Sequence, residues 1–190
     1  MVEMSVAGIA LDAASRSPIV LLRDPSGRRQ VPIWIDQAQA HNIMAGLQDT
    51  PSPRPLSHDL MAALLVAGGL ELDRVIVHAI EDSPFHAVLK LRPDLDDDEL
   101  EDDDDMDFIE VDSRPSDAIA LAVRTGSGIW MLEEVVAEAS ISVDAEADAE
   151  DQNAFSRFVD ELSPAALVRH LNNRGDTDEP STDTNSPPVP

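Results

Sequence analysis

Ile109-Glu110-Val111-Asp112-Ser113-Arg114-Pro115-Ser116-Asp117-Ala118-Ile119-Ala120-Leu121-Ala122-Val123-Arg124 is the stretch on which the fold turns. Residues 107–111 read as a strand, whereas 116–124 place their apolar side chains at helical spacing. Between them stands Arg114-Pro115. Proline fixes its own φ and biases the preceding residue towards extended backbone, so the strand must stop there and a helix can start. A second Arg-Pro, Arg54-Pro55, precedes Leu56-Ser57-His58-Asp59. Its helix is expected over 57–68, with Ser57 as N-cap, Leu60, Leu64 and Leu65 on one face, and Gly68-Gly69 as the stop.

Working outward, residues 6–11, 19–23 and 30–35 are short β-prone runs separated by turn residues, a three-strand meander that feeds a helix over 37–47. The order then recurs, with strands over 74–80, 85–91 and 107–111 and the helix over 116–124. Ile33, Ile35, Asp36, Ile43 and Leu47 fall 76 positions before Ile109, Val111, Asp112, Ile119 and Val123. We read this offset as an internal duplication that makes Asp36 and Asp112 equivalent. A short strand over 129–132 and a helix over 133–139 complete the unit. The expected fold is α+β, a compact single domain of two β-β-β-α-like units over residues 1–141. An acidic linker over 142–153, a helical pair over 154–171 and a disordered tail over 172–190 would follow.

The chain has no cysteine, which excludes disulfides, thiolate-bound zinc and a cysteine nucleophile. Any metal would sit on oxygen or imidazole ligands, so magnesium or manganese suits the inventory best. No apolar run approaches the roughly 18 residues that a membrane span needs, and no leader-like segment opens the sequence, so a cytoplasmic protein is expected. The formal charge of −25 is uneven, because residues 94–107 hold 11 acidic groups and no basic one. That run reads as a solvated insertion loop. No basic stripe appears elsewhere, which argues against tight non-specific binding of nucleic acid.

An arginine at a defined angle beside a helix N-terminus suits a phosphate, since guanidinium binds it bidentately and the helix adds free N–H groups. Arg54 and Arg114 are therefore candidate phosphate ligands. A structural Arg–carboxylate pair, of Arg114 with Asp112 or Asp59, explains the same residues without function. His58, Asp59, Asp112 and Asp117 are the candidate catalytic groups, with His58 as proton carrier and Asp59, Asp112 and Asp117 as carboxylates able to hold a divalent ion. Asp59 and Asp117 equally suit simple helix capping. His41, His78, His86 and His170 read as surface or packing residues, and Trp34 and Trp130 as core anchors rather than stacking platforms.

Val31-Pro32-Ile33-Trp34-Ile35, the segment from Arg54 to Leu60, and the segment from Asp112 to Arg124 together resemble the successive signatures of the bifunctional nuclease family. The resemblance covers about residues 4–140. It implies a compact α+β domain that often self-associates, a dimer above all, and a nuclease activity on DNA and RNA. Two departures stand out. Gln39-Ala40 occupies the place of the family's usual Glu-Ala, removing one carboxylate, and the acidic insertion is longer than the family pattern. The alternative to an enzyme is a non-catalytic regulatory module whose acidic loop and C-terminal helices engage a partner protein.

Overall fold

The computed structural model describes residues 1–48, 53–80, 85–94 and 108–143, with Asn153 and Arg157. The acidic run beyond Asp94, most of the linker and of the C-terminal helical pair, and the tail lie outside the described residues. The first meander comprises β1 (Val2–Leu11), β2 (Pro18–Arg23) and β3 (Arg29–Trp34) and leads into α1 (Gln37–Leu47). After α2 (Ser57–Ala67), the second comprises β4 (Leu70–Ile80), β5 (Phe85–Pro93) and β6 (Ile109–Ser113) and leads into α3 (Pro115–Thr125). Then come β7 (Gly128–Met131), α4 (Glu133–Ala139) and β8 (Ile141–Ser142).

The strands form one eight-stranded sheet in the order β6-β5-β4-β7-β1-β2-β3-β8. β7 is the seam. It runs antiparallel to β1 and parallel to β4, so each meander spreads outward from it. The mixed α/β character and the two strand-meander units agree with the sequence. β1 and β4 each begin four residues earlier than expected, because Val2 to Met4 pair with β7 and Leu70 to Leu72 pair with β5. Charged residues in Glu71-Leu72-Asp73 mask the strand pattern there. In place they serve it: Arg92 pairs with Glu71 directly across the β4–β5 ladder, and Lys90 pairs with Glu110 across β5–β6.

α3 is the hub, lying against α1, α2, β4, β5 and β7. Its Ala118, Ile119, Ala120, Leu121 and Ala122 are all buried. Full burial of Ile119 alone is worth about 1.5–3 kcal/mol relative to exposure. The alanines let neighbouring helices approach, and Gly46 on α1 makes that contact closer still. A Cβ at Gly46 would stand 2.6 Å from Val123 Cγ2 and 2.9 Å from Arg124 Nη1.

Several local expectations change. α3 starts at Pro115, not Ser116, with Pro115 in the first turn, where proline's missing N–H costs nothing. It ends on Gly126, whose φ of 73° is the left-handed closure that glycine accepts. Ser57 does not cap α2. Leu56 holds the cap position, and Asp59 reaches back to accept its backbone N–H at 2.7 Å. Leu60 and Leu64 do not face the core but are 55% and 61% exposed, because α2 turns Ala62 and Leu65 inward instead. Asp36 and Asp112 are not equivalent. Asp36 N-caps α1, whereas Asp112 sits inside β6, paired with Val88. Finally, Trp34 is no core anchor; it is 57% exposed at the end of β3, while Trp130 is half-buried.

Candidate functional site

The two Arg-Pro motifs meet. His58, in the first turn of α2, is buried, and its Nε2 lies 3.3 Å from Asp117 Oδ1 in the first turn of α3. Asp117 Oδ2 in turn accepts from Arg114 Nε at 2.6 Å. A single carboxylate thus joins an imidazole from one motif to a guanidinium from the other. The Asp117 carboxylate holds the Arg114 guanidinium above its ordinary pKa, so Arg114 is a fixed cation. His58 Nδ1 is buried with no hydrogen-bond partner among the described residues.

Arg114 also borders a cleft of about 510 Å³ between the ends of β3, β5 and β6 and the start of α3. Asp112, Gln39, Trp34, Phe85 and His86 share its walls. Asp112 is exposed there. Gln39 completes a capping box with Asp36: Gln39 N–H donates to Asp36 Oδ1, and Asp36 N–H donates to Gln39 Oε1, both at 2.8 Å. Glutamine does this work as well as glutamate does, so the departure at position 39 leaves the helix start intact.

Asp59 belongs to a different cluster. Its Oδ1 accepts from Arg124 Nε at 2.5 Å, and Arg124 Nη1 donates to the Asn42 carbonyl at 2.8 Å and the Ala120 carbonyl at 2.7 Å. The Arg124 hydrogen bond, followed by that of the Leu56 N–H, pulls the Asp59 carboxyl below its ordinary pKa. The Arg124 side chain is only 7% exposed and ties α1, α2 and α3 together. Sequence reading gave it no role, although it closes the third signature and sits in the last turn of α3, where a cation is favoured. Arg54 is exposed on the segment entering α2 and does not line the Arg114 cleft.

Among the described residues no group of three or more histidines or carboxylates is placed to hold a metal ion. Asp59 is held by Arg124, Asp117 is held by Arg114 and His58, and Asp112 stands apart on β6. Of the remaining histidines, His41 and His78 are exposed and His86 is the one at the cleft; His170 lies outside the described residues.

The family model of the bifunctional nuclease domain matches residues 20–144, a span that contains both Arg-Pro motifs, the linked His58, Asp117 and Arg114, and the cleft. The chain belongs to the bifunctional nuclease domain family. It is also similar to uncharacterized proteins from two strains of Mycobacterium tuberculosis, with 34% identity over 172 residues, covering 86% of this chain and 96% of each relative. The bifunctional nuclease domain match leaves β1 and the C-terminal segments outside, whereas the mycobacterial alignments extend well beyond it. No described helix is long and apolar enough to cross a membrane.

Proposed function

We propose that this member of the bifunctional nuclease domain family hydrolyses phosphodiester bonds of nucleic acid, RNA or DNA, in the cytoplasm. The observation that carries the reading is the His58–Asp117–Arg114 chain, which couples a proton-carrying imidazole to a phosphate-seeking guanidinium through one carboxylate. Arg114 binds the phosphate with the two terminal amino groups that Asp117 leaves unused. Asp112, exposed in the same cleft, takes the proton of the attacking water. Asp117, backed by His58, orients Arg114 on the phosphate, and the departing oxygen takes its proton from solvent. Arg54 would meet a neighbouring phosphate along the strand, and Asp59 supports the site through Arg124. Magnesium or manganese would enter with the substrate's own phosphates, with Asp112 as the protein carboxylate nearest to it, and would offset the phosphate's charge.

Cleavage of labelled single-stranded and duplex DNA and RNA, with magnesium, manganese or chelator, tests the proposal. Wild type should cut, and Asp117→Asn should slow turnover by roughly 10²- to 10⁴-fold while keeping its melting temperature near wild type. Absence of cleavage under every condition sinks the hydrolase reading. The second reading, a non-catalytic binding module, draws support from the pairing of Arg114 with Asp117 and Arg124 with Asp59, which neutralises these charges internally. Under it the Asp117 substitution alters stability alone, and the C-terminal helices, outside the described residues, engage a partner.

Self-association belongs to the same proposal. It is supported by the row of Leu60, Met61, Leu64 and Val66 on α2, each between 45% and 69% exposed. A helix apolar on its outer side as well as its inner one is suited to burial between copies, and a dimer is the simplest closed arrangement.

A further inference from the structure

We propose that the cleft beside Arg114 is selective for single-stranded nucleic acid because it stacks one unpaired base on Trp34 while Arg114 takes the adjoining phosphate. The inference rests on the phosphodiesterase reading for its substrate class, and it assigns the recognition of that substrate to an aromatic side chain.

Trp34 is the most unexpected surface residue of the molecule. A large indole, 57% exposed at the end of β3, forgoes the burial that usually stabilises such a side chain. It is nevertheless held in place, because its Nε1–H donates to Asp12 Oδ2 at 3.0 Å. Asp12 itself is fixed by the backbone N–H of Ala14 at 2.8 Å, in the turn that joins β1 to β2. The ring is thereby oriented before any ligand arrives, which lowers the entropy lost on binding. Phe85, the first residue of β5, and Trp34 both line the cleft of about 510 Å³, within the usual range for a small-molecule site.

The polar groups around this aromatic surface are few and complementary. Gln39 spends its carbonyl oxygen on the Asp36 N–H and keeps its amide N–H donors for base edges. Arg114 is 67% exposed along its side chain and uses Nε on Asp117, so its terminal amino groups point the remaining charge at solvent and ligand.

Charge decides between single strand and duplex. The cleft's lining holds one arginine, Arg114, against one carboxylate, Asp112, and the chain as a whole carries −25. Duplex DNA presents phosphates at high linear density and keeps its bases stacked inside, so it offers this cleft repulsion and no aromatic face. An unpaired base offers a π surface, and base–aromatic stacking adds affinity without demanding a basic groove. Stacking therefore supplies most of the binding, and dependence on salt should be shallow, with a log–log slope no steeper than about −1.

The test uses the full chain carrying Trp130→Phe, which leaves Trp34 as the sole indole, titrated with a ten-residue oligothymidine or oligouridine, a blunt hairpin duplex, and inorganic phosphate. Saturable quenching by the single strands, at least tenfold weaker quenching by the duplex, and none by phosphate are expected. In wild type, labelled single strand followed by anisotropy should bind roughly 5- to 100-fold more weakly after Trp34→Ala, and Trp34→Phe should restore most of the loss. Because Trp34 is exposed, thermal melting should show both variants folded. Unmoved fluorescence, equal affinity for duplex, or Trp34→Ala binding like wild type overturns the inference. Quenching without any cleavage supports the stacking site and rejects the hydrolase; cleavage with Trp34 silent rejects the stacking site and leaves the hydrolase standing.

Discussion

Gly46 shows how little space separates α1 from α3. Alanine is the better helix former by about 1 kcal/mol, so propensity alone favours Gly46→Ala. Sterics oppose it, since the added methyl would meet Val123 Cγ2 at 2.6 Å and the guanidinium of Arg124 at 2.9 Å. Arg124 cannot swing aside cheaply, because its side chain is held by Asp59 and by the carbonyls of Asn42 and Ala120. Overpacking of this kind costs roughly 1–3 kcal/mol and should prevail. A melting temperature lowered by several degrees is expected; one equal to or above wild type would show that the helices accommodate the methyl. None of this was legible in the sequence, where Gly46 is one small residue in an ordinary helical pattern. The site residues were legible in part. His58, Arg114 and Asp117 were singled out by their motifs and are joined, whereas Asp59, with the same helix-opening position as Asp117, turns to Arg124 instead.

Among the elements, α2 departs furthest from its periodicity. Spacing placed Leu60, Leu64 and Leu65 on one face, yet of the three only Leu65 packs against the core, beside Ala62, because the first turn is fixed by His58 on Asp117 and Asp59 on Arg124. Those two polar contacts set the helix's rotation and leave the leucine row outside. Replacing both Leu60 and Leu64 by glutamine should therefore change stability by no more than about 0.5 kcal/mol per site. If the row joins two copies, sedimentation velocity should show the wild-type dimer become a monomer. A wild type already monomeric at tens of micromolar would remove the self-association proposal. α3 behaves in the opposite way. Its proline at the start, alanine-rich face and terminal glycine all agree with its burial, so its sequence alone nearly defines it.

At the scale of the whole molecule, acid stability draws on three carboxylates among the described residues whose folded environment favours the charged form. Burial opposes ionisation of Asp24, yet the Ser26 hydroxyl, the Arg29 guanidinium and the backbone N–H groups of Arg29 and Arg28 outweigh it and bring its pKa from 3.8 to about 2. Asp12 is lowered first by the Trp34 indole, and Asp59 first by Arg124. A depressed pKa means that the unfolded chain takes up protons first. The stabilisation is complete above the unfolded value of 3.8 and is lost as pH falls through the folded one, about 2 for Asp24. Unfolding monitored by circular dichroism should give melting temperatures insensitive to these groups above about pH 5 and declining from about pH 4 to 2, with a shallower decline in Asp24→Asn. An unchanged slope in that variant would contradict the assignment.

The sequence by itself determined the family, the two meanders and their helices, and the candidates His58, Arg114 and Asp117, because strand alternation, helical spacing and Arg-Pro punctuation are local properties of the chain. Tertiary structure alone decided that β7 joins the meanders, that Arg124 anchors three helices, and that Asp59 leaves the site. It also decided that Trp34 faces outward at the cleft. An apolar run such as Val31-Pro32-Ile33-Trp34-Ile35 states which residues alternate, but only the closing of β3 against β2 and the Asp12 turn states which face of the last rung meets solvent.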